Sequence, residues 1–195
     1  GVEDRRRRPR GQRAYQAAPF ALPTGRRAGA RGILDSEHGL SRGAVALRTK
    51  HQRLGDRGEE VVVQTCLCPR CKRGSTLKQL PANFKCADVV CDFCGYLAQV
   101  KSTRTENLEQ LPNRILGAAW KPQNERMQAG IYFPLFVVLL DEEQNKHALY
   151  YLPADLQIPS IFVPRKPLSG NAKRAGWQGF VYDITNIKDS FVRLA

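Results

Sequence analysis

The sequence predicts an α/β (α+β) fold in which a mixed central sheet is flanked by helices. The stretch Ile131 to Leu140 is almost wholly apolar, as expected of a central strand that is covered on both faces. Residues 95–102 alternate between two side-chain faces, which is the period of a strand. Between positions 46 and 65, apolar residues recur at roughly helical intervals: Leu47, Leu54, Val61 and Val62. A length of 195 residues suits one domain of ordinary size.

The charge of the chain is positive and unevenly distributed. The formal net charge is +13, and residues 1–50 hold 12 basic and 4 acidic side chains. A basic balance favours polyanionic partners, but the remainder of the chain is only mildly basic, so charge alone is weak evidence for DNA. No apolar run approaches the ~20 residues that a membrane helix needs, and no secretory signal is present. We therefore expect a cytoplasmic protein that does not bind membranes.

Residues 1–45 form an Arg/Gly/Ala-rich leader that we expect to be disordered, because it cannot bury enough apolar surface to offset the loss of chain entropy. The only methionine is Met127, so the leader does not begin at a start codon. Three interpretations stay open: a non-native or mistranslated leader, a basic tail that touches DNA, and a mitochondrial-type presequence.

The folded domain is predicted to span residues 46–195, and it begins with a helix over 46–65. In that helix Gly55 and Gly58 would allow close packing on a sheet. Two strands follow, Phe84 to Val90 and Gly95 to Ser102.

A helix is then predicted over Glu106 to Ala119, interrupted by Pro112. After the central strand come a polar turn over Asp141–Lys146 and a return strand, His147 to Leu152. The remaining elements are a short helix that starts at Pro153, a basic loop, and a last strand: 153–156, Pro164 to Gly179, and Phe180 to Ile184.

Two CxxC motifs predict a structural zinc site. Two such turns brought together by a hairpin offer four thiolates, and four thiolates fill the tetrahedral shell of zinc. The predicted ligands are Cys68, Cys71, Cys91 and Cys94. Disulfides and buried free thiols are the alternatives, and the lack of a secretory segment favours zinc. Cys66 and Cys86 are expected to be small buried residues, although either could replace a neighbouring ligand.

Asp88 and the sequence Gln99-Val100-Lys101 have the spacing of a metal-dependent nuclease centre. Phosphodiester hydrolysis needs a divalent cation and a positioned water. Asp88, the side-chain oxygen of Gln99 and the Val100 carbonyl would bind Mg²⁺, and Lys101 would orient or activate the water. Gln99 brings no negative charge, so Glu59 on the first helix is a candidate for a second carboxylate. The alternatives are a solvated strand face and an exposed helix glutamate.

Three segments carry a resemblance to a known family: CPRC, then DVVCDFCGYLAQVKS, then FVPRKPLSGNAKRAGWQG. In order and spacing they resemble the catalytic domain of the DpnI restriction endonuclease family, a zinc-containing branch of the PD-(D/E)XK nucleases. The resemblance covers about residues 50–187. It implies a PD-(D/E)XK core with an inserted four-cysteine zinc site, with Asp88 as the metal-binding carboxylate and Lys101 as the motif lysine.

The resemblance also implies a substrate, which is double-stranded DNA cut at GATC sites that contain N6-methyladenine. The basic loop would take part in reading DNA through Arg165, Lys166, Lys173, Arg174 and Trp177. A tryptophan that anchors the loop to the core is the alternative for Trp177. Gln99 departs from the family, which has Glu there. The family's C-terminal winged-helix domain is not expected within this chain, and a monomer is favoured.

The predicted function is therefore a Mg²⁺-dependent, zinc-stabilised type II endonuclease. The rival is a zinc-ribbon DNA-binding module in which Gln99 marks a decayed active site. Catalysis requires Asp88, Gln99 and Lys101 to converge on an open edge of the sheet. The catalytic function fails if the Lys101 side chain points into the core or if Asp88 is spent on a salt bridge.

Overall fold

A computed structural model describes residues 49–82, 84, 87–143 and 145–195. The predicted leader and Cys86 lie outside the described residues. None of the helices in the described part of the chain is long and apolar enough to cross a membrane.

The first helix, α1 (Lys50–Thr65), ends where the helix predicted over 46–65 ends, but it begins later, after its N-cap Thr49. Thr49 and Gln52 form a capping box, in which each side chain accepts a hydrogen bond from the other residue's backbone N–H. Gly58 is buried, and a Cβ atom there would lie only 1.7 Å from the Ser102 hydroxyl. Close packing through Gly58 is thus confirmed. Gly55 has nothing within 4 Å of such an atom, so its predicted role in packing was wrong.

The larger sheet has six strands in the order β1-β2-β3-β5-β6-β9. Its members are β1 (Leu77–Gln79), β2 (Val89–Cys91), β3 (Leu97–Arg104), β5 (Leu135–Leu140), β6 (His147–Leu152) and β9 (Val192–Arg193). Strands β3 and β5 are parallel, and the other neighbours are antiparallel, so the sheet is mixed as predicted. Of the described residues in the strand expected over Phe84 to Val90, only Val89 and Val90 belong to a strand, β2.

The smaller sheet corrects one prediction. It has the order β4-β8-β7, from β4 (Arg114–Ala119), β7 (Phe162–Pro164) and β8 (Gly179–Asp183). The helix expected over Glu106 to Ala119 was wrong, because its second half is strand β4. In that strand Ile115 is buried between exposed neighbours, which is the period of a strand. The helix of this region is α2 (Trp120–Gln128), which begins where β4 ends.

The central strand β5 is buried at every position, and its alternating side chains supply two separate cores. Phe136, Val138 and Leu140 pack with α1 and the cysteine-rich segment. Leu135, Val137 and Leu139 pack against the smaller sheet and α2. The sheet is therefore covered on both faces, and the predicted α+β architecture with a mixed central sheet is confirmed.

Candidate active site and metal centre

The four predicted zinc ligands form one cluster. Their sulfur atoms all lie within 4.8 Å of one another, with 3.6 Å between Cys68 and Cys94 and 3.7 Å between Cys71 and Cys91. A tetrahedral zinc with Zn–S bonds of about 2.3 Å requires sulfur–sulfur separations of about 3.8 Å. The cluster could therefore hold zinc, and four thiolates would leave no ligand position open for catalysis.

The disulfide alternative does not hold for the cysteines that the structure describes, because all five are free thiols. The shortest separations in the cluster are far above the ~2.05 Å of a disulfide bond. Cys66 is buried and does not belong to the cluster. Burial raises the pKa of the Cys66 thiol to about 11, which keeps it protonated and agrees with a small apolar residue.

Two similar turns present the cysteines. In the first, the Lys72 N–H donates to the Cys68 carbonyl at 2.8 Å, and in the second the Gly95 N–H donates to the Cys91 carbonyl at 2.9 Å. Each turn ends on a residue in the left-handed region, with φ of 61° at Lys72 and 71° at Gly95. Because Cys91 ends β2 and Gly95 precedes β3, the second turn closes the hairpin that carries the predicted catalytic residues.

The hairpin register brings Asp88 and Lys101 together. Val89 pairs with Ala98, and one residue earlier the Asp88 N–H donates to the Ala98 carbonyl at 2.9 Å. The Asp88 carboxylate crosses to the next strand, where it accepts the Val100 N–H at 2.7 Å and the Lys101 ammonium at 3.0 Å. The two side chains are 28% and 19% exposed, so they lie at the surface of the sheet rather than in the core.

The ammonium of Lys101 also donates to the Val100 carbonyl at 2.8 Å. Two of the oxygens predicted to bind Mg²⁺, on Asp88 and Val100, thus already converge on one positive charge. Asp88 does form a salt bridge, which was the criterion against the catalytic function, but its partner is the predicted catalytic lysine. The structure assembles the pair, and the role of each residue stays a prediction.

Gln99 is held by a residue that the sequence did not single out. The Tyr182 hydroxyl donates to the Gln99 side-chain oxygen at 2.7 Å. Burial raises the pKa of the Tyr182 phenol, and the nearby charge of Asp88 raises it further, so Tyr182 stays a neutral donor. The alternation of side chains in the strand that starts at Phe180 could have predicted that Tyr182 is buried. It could not have predicted the partner, because Gln99 lies on the other sheet, 83 positions away.

Glu59 reaches the same cleft as Asp88. The cleft has a volume of about 330 Å³ and lies between α1 and the segment that leads into β2. Its lining includes Asp56, Glu59, Phe84 and Asp88. Gly58 seats α1 against β3, and the next residue, Glu59, lines this cleft together with Asp88.

A comparison with protein-family models adds to this geometry. Residues 45–193 match the model of the DpnI family, which is described as the Dam-replacing family. This chain belongs to the Dam-replacing family. Membership implies a restriction nuclease that acts on DNA.

In this member of the Dam-replacing family, the predicted DNA-reading loop extends from the β7–β8 hairpin. The Arg165 N–H donates to the Gly179 carbonyl at 2.9 Å, and the Leu168 N–H donates to the Trp177 carbonyl at 2.9 Å. The loop contains no acidic residue, and four of its basic residues are exposed: Arg165, Lys166, Lys173 and Arg174.

Trp177 is half-buried within this loop. Its ring lies so close to Gly179 that a Cβ atom there would approach it to 2.9 Å. The Arg174 guanidinium stacks over the same ring, 4.6 Å from the ring centroid. The tryptophan therefore anchors the loop and at the same time orients one of its cations.

Proposed function

We propose that this member of the Dam-replacing family is a Mg²⁺-dependent type II endonuclease that cleaves duplex DNA at adenine-methylated GATC sites. The observation that carries the proposal is the convergence of the Asp88 carboxylate and the Val100 carbonyl on the Lys101 ammonium. Oxygens that already share one cation are suitable ligands for another. The enzyme would act as a monomer in the bacterial or archaeal cytoplasm.

The metal ligands in this proposal are Asp88, Val100 and Gln99, with Glu59 as a second carboxylate at the cleft. Bound Mg²⁺ would polarise the phosphate and lower the pKa of a water molecule. The Val100 N–H fixes the Asp88 carboxylate independently of Lys101, so Asp88 can keep its orientation when the ammonium turns towards substrate.

Lys101 would position the attacking water and stabilise charge on the phosphate. Its ammonium is half-buried and has two oxygen partners, which limits the directions that it can take. Gln99 is neutral, and its side-chain oxygen accepts a hydrogen bond from Tyr182. An amide oxygen has two lone pairs, so this hydrogen bond is compatible with a role as a metal ligand.

The preference for methylated adenine would come from the basic loop. Its four exposed cations suit the phosphate backbone, whereas the Trp177 ring suits apolar contact with a thymine or an N6-methyl group. Such contact is worth at most a few kcal/mol, so the methyl preference depends on the loop being rigid. The cross-loop hydrogen bonds and the Arg174–Trp177 stacking provide that rigidity.

A second candidate function is the zinc-ribbon DNA-binding module without catalysis. It is favoured by the Asp88–Lys101 salt bridge and by the absence of a negative charge at Gln99. In the catalytic candidate, the Asp88–Lys101 pair would contact a metal ion and a phosphate. In the non-catalytic module it would contact neither.

The deciding experiment incubates the protein with Mg²⁺ and plasmid DNA that is either adenine-methylated at GATC or unmethylated. Cleavage restricted to the methylated plasmid is the expected result. Equal cleavage of both plasmids would contradict the methyl preference alone. Binding without cleavage, by protein that contains stoichiometric zinc, would support the non-catalytic module.

A further inference from the structure

The outer surface of the zinc-binding turns carries a positive charge that neither the zinc site nor the catalytic pair uses. Arg70, Lys72 and Arg73 are exposed, and we call these three residues the knuckle patch. Among the described residues, none of the three forms an ion pair with a carboxylate. The nearby Lys78 differs, because it lies 3.8 Å from Asp92. The patch therefore presents three exposed cations that no carboxylate pairs with, and a zinc ion with four thiolates beneath them would offset part of their charge.

The backbone at Lys72 points to a role for its charge. Lys72 and Gly95 occupy equivalent places in the two turns, and both have positive φ. Glycine adopts this conformation without steric cost, whereas a side chain with a Cβ is disfavoured there. The second turn shows that glycine can form this turn. The first turn nevertheless has an exposed lysine at the equivalent position, Lys72.

Arg73 is oriented by an aromatic ring from the second turn. Its guanidinium lies 3.6 Å from the ring centroid of Phe93, which is 56% exposed. Stacking on a ring face leaves the N–H groups at the edge of the guanidinium available to an acceptor such as a phosphate. The Arg73–Phe93 contact therefore joins the two turns on their outer side and leaves the edge of the guanidinium accessible to solvent.

The distance to the catalytic pair suits a duplex. Asp88 precedes Cys91 by three residues along an extended segment, which corresponds to about 10 Å. Duplex DNA rises 3.4 Å per base pair and carries a phosphate on each strand at every step. The phosphates a few base pairs from Asp88 are therefore within the range of the long side chains of the knuckle patch.

We propose that the knuckle patch binds the sugar–phosphate backbone of the same DNA duplex, a few base pairs from the bond that is cut. Zinc then has two roles, since it shapes the hairpin and holds phosphate-binding cations at a fixed distance from Asp88. The inference rests on the proposed function in taking the molecule at Asp88 to be duplex DNA. The contacts are to phosphate, so they contribute affinity and register, not sequence preference.

The test measures DNA binding by fluorescence anisotropy over a salt series, in buffer that contains neither Mg²⁺ nor a chelator. The variants are a triple substitution, Arg70→Gln with Lys72→Gln and Arg73→Gln, and the single Lys72→Gly. The control is Lys146→Gln, which removes an exposed charge on the β5–β6 turn. Zinc content is measured for each protein.

The slope of log K against log salt is negative, and each lost phosphate contact reduces its magnitude by about 0.9. The magnitude should therefore fall by about 2 to 3 in the triple variant and by about 0.9 in Lys72→Gly. Lys146→Gln should leave the slope unchanged. Lys72→Gly should also keep its zinc and its melting temperature, because glycine is favoured at that φ. A merely structural lysine would affect neither slope nor affinity.

An unchanged slope in both variants overturns the inference. If the triple variant loses zinc, the slope of Lys72→Gly decides alone. Wild-type protein that binds with the expected slopes but never cleaves overturns the proposed function and leaves the inference standing. Cleavage by the wild type with unchanged slopes in both variants supports the proposed function and overturns the inference. Absence of any salt-dependent binding by the wild type also overturns the inference.

Discussion

At the scale of single residues, the centre depends on the two hydrogen bonds that the Asp88 carboxylate accepts. Its carboxylate accepts one hydrogen bond from the backbone of Val100 and one from Lys101, so the backbone bond alone can hold its orientation. In the proposed mechanism, Lys101 could then move towards substrate while the backbone hydrogen bond keeps Asp88 oriented for a metal ion.

Lys101→Ala should reduce the rate of plasmid cleavage by about 10² to 10³, the typical effect of removing one transition-state donor. DNA affinity should fall only slightly, since one of many cations is removed. Single-turnover cleavage at saturating protein separates the two effects. Lys146→Ala is the matched control, and a Lys101→Ala protein that cleaves at the wild-type rate would place the active site elsewhere.

Gln99→Glu should lower the Mg²⁺ concentration needed for half-maximal cleavage, because a carboxylate replaces a neutral ligand. Tyr182 would still donate to the new side chain, so its orientation should persist. A Mg²⁺ titration of the cleavage rate measures the change. An unchanged or higher requirement for Mg²⁺ would show that position 99 does not contact the metal.

The residues of the centre differ in how far the sequence could predict them. Asp88 and Lys101 belong to one hairpin, so an eleven-residue interval and the two-residue period of a strand were enough to pair them. Tyr182 comes from the smaller sheet, and its bond to Gln99 depends on how two sheets pack. No local spacing encodes such a contact.

At the scale of elements, the hairpin that carries Cys91 and Cys94 is the feature that positions the centre. Strands β1 and β2 have three residues each, too few to be stable alone. Binding of structural zinc is worth about 10–16 kcal/mol in small zinc-finger peptides. That exceeds what such short strands can supply, so the metal should decide whether the hairpin is folded.

Removal of zinc by a chelator should therefore abolish cleavage, and added Mg²⁺ alone should not restore it. Hydrogen exchange should show that amides of β1 and β2 lose protection while those of the fully buried β5 keep theirs. Readdition of zinc is the control. Retention of cleavage by zinc-free protein would contradict the link between the hairpin and the site.

Gly58→Ala should destabilise the fold by about 1–3 kcal/mol, because the added methyl group would overlap the Ser102 hydroxyl. The shift of α1 should also move Glu59 and reduce cleavage. Gly55→Ala, nearly one turn earlier and with open space, is the control and should not destabilise. Thermal denaturation measures both, and equal melting temperatures would contradict the packing.

The elements show the same limit of sequence prediction as the residues. The helix α1 was predicted from its helical spacing of apolar residues, β5 from its apolar run, and β6 as the return strand after a polar turn. Strand β4 was predicted as a helix because its pairing partner β8 lies more than 60 residues further on. A short strand of that kind is defined by its partner more than by its own sequence.

At the scale of the whole molecule, two layers meet at the centre. The hairpin supplies Asp88 and Lys101, α1 supplies Glu59, and the smaller sheet supplies Tyr182 and the basic loop. The hydrogen bond between Tyr182 and Gln99 joins the part proposed to cleave DNA to the part proposed to recognise it. Substrate held by the loop would thus lie in a fixed relation to the catalytic pair.

The most direct test of the account is the cleavage of methylated plasmid by Asp88→Asn, measured beside the wild type at the same Mg²⁺ concentration. We predict at least about a 100-fold loss of rate. Zinc content should be unchanged, and DNA affinity should be equal or higher, since a negative charge facing the phosphates is removed. Asp88→Asn protein that cleaves at the wild-type rate would contradict the assignment of this hairpin as the active centre.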